Sequence, residues 1–482
     1  MPSLDLAVVL AAGEGTRMKS TTPKVLHEIA GRSILAHVLS AVQPLGAADL
    51  RVVVGSSREA VETHLAQIAP NATIVFQAQR NGTGHATQLA LDGAPATGSV
   101  MILAGDTPLL RSGTLQEFID AHHTYESAAS VLTSVVPDPF GYGRIVRSDS
   151  GELVGIVEER DATEEQREID EINTGVYIFD IAALRAAVAK LKSANAQGEL
   201  YLTDVIALIK EDGKNAVAIL SNDYTETLGI NDRSQLAECG AIMRDRINDD
   251  FMRAGVTIID PATTWIDATV AIENDVTIHP GTTLTGASTI ARGAIIGPRT
   301  TLNNVVVAER ATILESYVSE ATIGAAATVG PFSFIRPGTV LAANTKVGAY
   351  VEVKNSTVGE GSKVPHLSYV GDATIGTGSN IGAATIFVNY DGVEKHATTV
   401  GNDVRIGSDT MLVAPVSIGD GAYTAAGSVI TEDVPAGSIG VARAKQRNVL
   451  GWVLRKRAGS KSAESAKKAG ATDGSTKVQG EA

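Results

Sequence analysis

From Ile266 onward the chain repeats every six residues. Aliphatic side chains stand at Ile266, Ile272, Ile278, Leu284, Ile290, Ile296 and Leu302, and again at Ile323, Val329, Ile335, Leu341, Val347 and Val353. After five-residue steps the count resumes at Val358, Val364 and Val370, then at Ile375, Ile381 and Phe387. A last run reads Val400, Ile406, Leu412, Ile418, Thr424 and Ile430. Helices repeat at about 3.6 residues and ordinary strands at about 2, so neither gives this spacing. A hexapeptide β-helix does, with one inward aliphatic residue per flat face and three faces per coil. Gly directly follows the inward residue at positions 297, 324, 348, 359, 371, 376, 382, 401, 407 and 419, where a tight corner without a side chain is useful. The period leaves the hand of the coil open.

Composition fits such a prism. Only 4% of residues are aromatic while 48 of 482 are Gly, as expected of flat coils that stack small and aliphatic side chains. Of the eight rings between residues 266 and 440, six lie between Phe332 and Tyr390. The prism is interrupted between Phe387 and Val400 by VNYDGVEKHATT, and inserted loops in solenoids commonly lie on the binding side.

The first half has a different grammar. Short aliphatic runs (LAVVLAA, RVVVG, TIVFQA, SVMILAGD) alternate with helical segments near residues 31–44 and 58–68. That alternation predicts a mostly parallel, Rossmann-like sheet with helices on both faces, whose ligands sit beyond the carboxyl ends of the strands. Residues 232–254 have helix-favouring composition and form a linker helix. Residues 441–457 are a basic segment, and residues 458–482, with Val478 as their one large aliphatic residue, are expected to be a disordered tail. The expected domains are therefore 1–231, the linker 232–254, and the prism 255–440.

Directly after the first strand the chain reads LAAGEGTRMKSTTPK, from Leu10 to Lys24. A dinucleotide fingerprint needs a third glycine where Met18 stands, and no GK[ST] follows as a P-loop requires. What remains is a glycine loop at a strand-to-helix turn with two cations, Arg17 and Lys24. Backbone N–H groups can wrap a phosphate there while the side chains neutralise it.

LxxGxGTRMxxxxPK is the signature of the sugar-phosphate nucleotidyltransferases. Together with the prism it makes the chain, to about residue 457, resemble the bifunctional bacterial N-acetylglucosamine-1-phosphate uridyltransferases and glucosamine-1-phosphate acetyltransferases. The resemblance implies a left-handed parallel β-helix. It implies a UTP and UDP-sugar site at Leu10, Ala11, Ala12, Gly13, Lys24, Gln77, Gly82, Thr83, Gly143, Glu158, Asn173 and Asn231. In the family pattern Gln77, Gly82 and Thr83 receive the uracil, and Gly143, Glu158, Asn173 and Thr174 the acetamido sugar. Asp106 in ILAGDTP and Asn231 in LGIND match the magnesium ligands. Two ligands suffice for Mg²⁺, which keeps waters and takes its other oxygens from substrate phosphates. In the implied reaction the sugar's phosphate oxygen attacks the α-phosphorus of UTP, and Arg17, Lys24 and Mg²⁺ position the groups and neutralise charge.

On the prism, polar residues accumulate between 330 and 395 that a β-helix does not need for stability. The motifs FIRPG, VEVKNS, PHLSYVGD, SNIGA and VNYDG match the acetyltransferase pattern. By that resemblance Arg336, Lys354, Tyr369, Asn380 and Lys395 bind the amino-sugar phosphate, and Ala383, Asn389, Tyr390, Ser408, Ala426 and Arg443 lie along the acetyl-CoA path. His366 is the general base: an amine must lose its proton before attacking a thioester, and imidazole titrates near working pH. The family assembles this site from the chains of a homotrimer. Three departures stand out: Ala384 where many relatives have Gly, Phe387-Val388 before the inserted loop, and Ala104 before the Gly105-Asp106 pair, where many relatives carry a larger residue.

Other classes fit less well. Forty basic against 54 acidic residues give a net charge of −14, unlike a surface built for nucleic acid. The N-terminal apolar run stops at Gly13 and lacks a basic leader, so neither a signal peptide nor a membrane span is expected, and the single Cys239 fits a reducing cytoplasm. A monofunctional nucleotide-sugar pyrophosphorylase with a regulatory prism would not need His366 or the NYDG loop. A non-catalytic scaffold would not need Arg17, Lys24, Asp106 and Asn231 together.

Overall fold

The computed structural model describes residues 4–473. It divides into two compact units, Met1–Thr339 and Val340–Ala482. A solenoid coil packs mainly on its neighbours, and the first coils share a unit with the helix Arg233–Arg253.

In the first unit the central sheet runs in the order Ala216–Leu220, Ala129–Val135, Glu171–Asp180, Ser99–Ala104, Leu6–Ala11, Asp49–Val54, Thr73–Phe76. All are parallel to one another except Glu171–Asp180, which is antiparallel to both neighbours. The inner strands are aliphatic because both faces are buried, whereas the edge strand Thr73–Phe76 is largely exposed. Leu6, Val8, Val100 and Ile102 pack on the helices Thr83–Ala90, Ile181–Val188 and Asp204–Glu211. Ala7, Val9, Met101 and Leu103 pack on Ile34–Val42, Arg58–Ile68 and Ser112–Thr124. Side-chain caps start several helices: Ser33 accepts from Ala36 N–H, Asp180 from Ala183 N–H, and Asp232 from Ser234 and Gln235 N–H.

The hexapeptide region consists of short parallel strands in three sheets, as a β-helix requires. In the first unit one sheet stacks Thr257–Ile258, Thr277–Ile278, Ile295–Ile296 and Thr312–Ile313. In the second unit another of the three sheets stacks Glu352–Lys354, Tyr369–Gly371, Ile386–Val388 and Met411–Val413. The inward residues are almost completely buried, and the stack continues through Val307, Ile313 and Val318, where a strict six-residue count breaks off. The physical reason lies at the corners. Most six-residue steps place a left-handed residue three positions after the inward one, as at Arg299, Tyr350 and Leu367. The five-residue steps place it two positions after, as at Asn304, Glu320, Asn355 and Asp372. The glycines directly after inward residues serve another purpose. A Cβ on Gly382 would lie 2.5 Å from Ser408 N, and one on Gly407 2.5 Å from Ala426 N, so these positions admit the backbone of the adjacent coil.

Past the prism, residues 441–450 are exposed, and two short helices follow at Trp452–Lys456 and Lys461–Lys468. The second lies within the segment expected to be a disordered tail. Its Lys, Ala and Glu content favours helix, Ser460 accepts from Ala463 N–H, and the buried Ala463 supplies the apolar contact without any large aliphatic residue. Residues 474–482 of the expected tail lie outside the described residues. Among the described residues no helix is long and apolar enough to cross a membrane.

Candidate functional site

A cavity of about 370 Å³ opens at the carboxyl edge of the parallel strands in the first unit, within the range of small-molecule sites. Its walls include Leu10, Ala11, Ala12, Gly13, Lys24, Gln77, Gly82, Thr83, Asp106, Glu158 and Asn173, most of the nucleotide set expected from the sequence. Leu10 to Gly13 and Asp106 come from the ends of parallel strands. Asn173 comes from the start of the antiparallel strand Glu171–Asp180, and this reversal brings its N-terminal half to the same edge. The pairing of that strand with Ala129–Val135 shifts register between Asn173 and Tyr177, and Gly175, at φ +78°, donates its N–H to Asn173 Oδ1 at 3.0 Å. A bulge of this kind re-aims side chains beside a site.

Oxygens converge at one end. Buried Lys24 Nζ is ion-paired with Asp106 Oδ2 and lies 3.4 Å from Asn231 Oδ1. Ile230 N–H donates to Asp106 O at 2.9 Å, which ties the Asn231 loop to the strand end. A carboxylate and an amide oxygen, drawn from distant parts of the chain and facing one ammonium, form a donor set that fits a hard divalent cation. Among the described residues no cluster of three His, Cys, Asp or Glu could form a closed metal cage.

Opposite, Gln77 Nε2 donates to Gly82 O at 3.1 Å and lies 3.1 Å from His85 Nδ1. Its carbonyl oxygen is therefore the atom left for an incoming donor. The segment after Glu199 docks on this loop: Gly84 N–H donates to Leu200 O and Leu200 N–H to Asn81 O, both at 2.7 Å, and Leu202 N–H donates to Thr83 Oγ1 at 3.0 Å. Gly82 adopts φ +98°, and a Cβ there would lie 2.4 Å from Leu200 O. Gly82→Ala is thus expected to cost about 1–3 kcal/mol in unfolding experiments and to weaken nucleotide binding as the loop is displaced. Unchanged stability and nucleotide affinity would contradict this.

The third wall carries Glu158, whose Oε1 accepts from Thr203 Oγ1 at 3.1 Å. Burial raises its pKa above the usual carboxylate range, the Thr203 hydrogen bond opposes this, and Asp204 and Asp161 add to the rise. Gly143 stands behind this wall: a Cβ on it would approach Asn173 Cβ and Glu158 Oε2 at 3.5 Å. Arg17, on the short helix Thr16–Met18, is exposed and does not line the cavity. Thr174 does not either, since its buried hydroxyl donates to Leu132 O at 2.7 Å.

In the second unit a polar cluster surrounds Asp372. Its Oδ1 accepts from Asn355 Nδ2 at 2.7 Å, its Oδ2 accepts from Asn389 Nδ2, and Lys354 Nζ lies 3.8 Å away. Burial alone would raise the Asp372 pKa, but hydrogen bonds from Asn355 and Asn389 and the charges of Lys354 and Lys395 hold it below the usual range. The Lys395 pKa is lowered by Lys354 beside it. Gly371 leaves room for this group, because a Cβ would meet Tyr369 OH at 2.4 Å and Asn389 Nδ2 at 2.7 Å. In the inserted loop, Tyr390 bridges to Lys395 and Asp391 Oδ2 lies 2.8 Å from His396 Nε2.

His366 ends the strand Lys363–His366 with its side chain exposed, while its carbonyl accepts from Ser368 Oγ at 2.7 Å and Ala384 N at 3.2 Å. Asn380 begins the next strand of the same sheet. Ala383, Ser408 and Ala426 stand at one corner on successive coils: Asp409 N–H donates to Ala383 O at 2.7 Å and Gly427 N–H to Ser408 O at 2.9 Å. Ala384 takes up φ +59°, in the left-handed region that glycine enters without strain. Arg443 is exposed in the segment after the prism, and Arg336, in the first unit, lies over the Phe334 ring at 5.6 Å.

Residues 7–169 match the MobA-like NTP transferase domain, and residues 317–416 match the GMPPB C-terminal domain. Proteins named bifunctional protein GlmU resemble the chain over nearly its whole length. The one from Streptomyces avermitilis is 54% identical over 95% of this chain and 96% of its own. That from Mycolicibacterium smegmatis is 51% identical over 96% and 97%, and that from Corynebacterium diphtheriae 50% identical over 97% and 98%. The chain belongs to the bifunctional GlmU family. It is accordingly a two-activity transferase of UDP-N-acetylglucosamine synthesis, combining a uridylyltransferase with a glucosamine-1-phosphate acetyltransferase. A monofunctional pyrophosphorylase with a regulatory prism is not favoured, because the similarity to bifunctional relatives spans both halves.

Sequence reasoning missed several groups around the GlmU-type cavity: Arg80, Tyr177, Glu199, Leu202 and Thr203. The 199–203 segment follows no periodic signal and reaches the cavity through backbone hydrogen bonds. Asp372, the hub of the second cluster, was visible as the last residue of PHLSYVGD.

Proposed function

We propose that the two activities use two separate sites, with uridylyl transfer in residues 1–231, acetyl transfer on the prism 255–440, and residues 232–254 as the link. The observation that carries the first assignment is the convergence of Lys24, Asp106 and Asn231 at one end of a cavity whose other walls are Gln77-Gly82-Thr83 and Glu158-Asn173. Uracil presents an N–H to the Gln77 carbonyl. Asn173 and Glu158, with Gly143 behind them, receive the acetamido sugar. Lys24, with Arg17 from the loop, neutralises the phosphates and holds the sugar phosphate oxygen in line with the α-phosphorus, and pyrophosphate leaves. An already anionic oxygen attacks, so no general base is required. A divalent cation belongs to the chemistry of this family; we assign Mg²⁺, held by Asp106 and Asn231, which when bound neutralises charge developing on the phosphates.

On the prism, Lys354 and Lys395 set two like charges beside one carboxylate, an arrangement suited to a phosphate dianion. Tyr369 and Asn380 complete the amino-sugar-phosphate group. His366 takes the proton of the amine as it attacks the thioester carbonyl, and CoA leaves as thiol. Ala383, Ser408 and Ala426 provide a small-residue path for acetyl-CoA, with Asn389, Tyr390 and Arg443 assigned to the same ligand. The bulky corner residues Tyr350 and Leu367 beside His366 are 61% and 60% exposed, and exposed apolar side chains next to an open base support assembly as a homotrimer. UTP and acetyl-CoA place the reactions in the cytoplasm.

The test is to supply glucosamine 1-phosphate, acetyl-CoA, UTP and Mg²⁺ together. UDP-N-acetylglucosamine, pyrophosphate and free CoA thiol are the expected products, and absence of either pyrophosphate or thiol removes the corresponding site.

Glu158 gives a pH-dependent prediction. Its folded pKa lies above the unfolded value, so the charged form is penalised in the folded state. Stability is full below the ordinary carboxylate range and declines as pH rises through the raised value. Glu158→Gln is therefore expected to melt higher than the parent at pH 8, with the gap closing toward pH 4, while KM for the sugar phosphate rises about tenfold or more through loss of a charge-assisted hydrogen bond. A pH-independent gap would show that burial of the charge is not the cause.

A further inference from the structure

Two charged residues that the family pattern assigns to no ligand face each other at the nucleotide cavity. Arg80 Nη2 lies 2.7 Å from Glu14 Oε1, with the side chains 47% and 37% exposed. Glu14 belongs to the glycine loop, between Gly13 of the cavity wall and Gly15, whose φ of +62° brings it against Lys24. Arg80 lines the cavity from the opposite loop, between Gln77 and Gly82. The pair thus connects the loop assigned to phosphate with the loop assigned to uracil. Ser56 Oγ donates weakly to the same Glu14 oxygen, at 3.4 Å.

A carboxylate on a phosphate-binding loop is unfavourable for a polyanionic ligand, because like charges placed side by side oppose binding. Lys24 is engaged by Asp106. Arg80 is the other cation in the cavity wall, and its present partner holds it weakly, since half-exposed ion pairs contribute little. Guanidinium–phosphate contacts are stronger and frequently bidentate.

We infer that Arg80 is a phosphate-binding residue for the incoming nucleotide, and that Glu14 is a competing counter-ion which holds Arg80 while the cavity is empty and takes it back as pyrophosphate departs. The inference rests on the assignment of uridylyl transfer to this cavity. Glu14 then weakens the binding of both triphosphate and pyrophosphate and favours product release. The two residues have opposite effects on nucleotide affinity although they form one ion pair.

Steady-state kinetics and calorimetric binding of UTP and pyrophosphate to full-length protein test this. Arg80→Ala is expected to raise KM for UTP about tenfold or more, with Arg80→Lys recovering part of the loss. KM for N-acetylglucosamine 1-phosphate stays unchanged, which reports an intact uridylyl-transfer cavity, and the rate of acetyl transfer stays unchanged as well. Glu14→Gln is expected to tighten UTP and pyrophosphate binding about three- to tenfold, and the same change in the Arg80→Ala background to have a much smaller effect. If Glu14→Gln weakens nucleotide binding as much as Arg80→Ala does, or if neither variant alters it, the pair is only a staple between loops and the inference fails. Lys24→Ala is measured in parallel: undiminished uridylyl transfer in that variant would overturn the site assignment itself, whatever Arg80 does.

Discussion

Lys24→Ala is expected to lower uridylyl transfer by about two to four orders of magnitude while leaving acetyl transfer within about twofold of the parent. The size of the effect follows from position. Lys24 is buried, faces Asp106 and Asn231, and stands in the cavity wall between the glycine loop and the donor oxygens. A charge held in a partly desolvated site acts more strongly than the same charge in water. Its removal also leaves the Asp106 carboxylate without its ammonium partner, so substitution costs more than the loss of one contact. Arg17→Ala is expected to act in the same direction and more mildly, because Arg17 is exposed and reaches the phosphates from the loop. Pyrophosphate release and CoA thiol release, measured on the same preparation, check both. Equal loss of the two activities would refute the separation of sites.

His366→Ala is expected to lower acetyl transfer by about 10²- to 10⁴-fold, the usual contribution of a positioned base, with uridylyl transfer unchanged. The substitution removes an exposed side chain whose backbone carbonyl keeps its hydrogen bonds to Ser368 and Ala384, so the change in stability should be within about 0.5 kcal/mol. A variant pH–rate profile that matches the parent in height and shape would remove His366 from the reaction. His366→Gln retains a polar side chain that takes no proton and is expected to fare no better than Ala.

How much was legible depends on how each contact is made. The inward aliphatic positions were legible because a solenoid repeats one local demand at a fixed interval. The Val307 to Val318 stretch hides in the sequence because three five-residue steps, with left-handed corners at Asn304, Glu315 and Glu320, crowd together there and leave no run of six-residue steps. Residues of the nucleotide cavity that sit at strand ends, such as Ala12, Gly13 and Asp106, could be read from short motifs, since strand direction alone sends them to the same edge. Thr174 adjoins Asn173 in the chain, yet the register shift that presents Asn173 to the cavity turns Thr174 toward Leu132 O. The helix Lys461–Lys468 shows a different limit: low aliphatic content predicts disorder, while Ser460 and Ala463 meet the capping and packing needs of a short helix.

The two architectures, the glycine loop with its cations, and the family are each encoded in residue spacing along a few dozen positions. The tertiary structure alone decided which charges meet. Lys24 faces Asp106 and Asn231 across 82 and 207 residues of chain, half-exposed Arg80 pairs with Glu14, and Asp372 gathers Asn355, Asn389 and Lys354 around one carboxylate. No local pattern specifies such pairs, because packing of the sheet and stacking of the coils fix the distance between charges, and that distance sets their interaction.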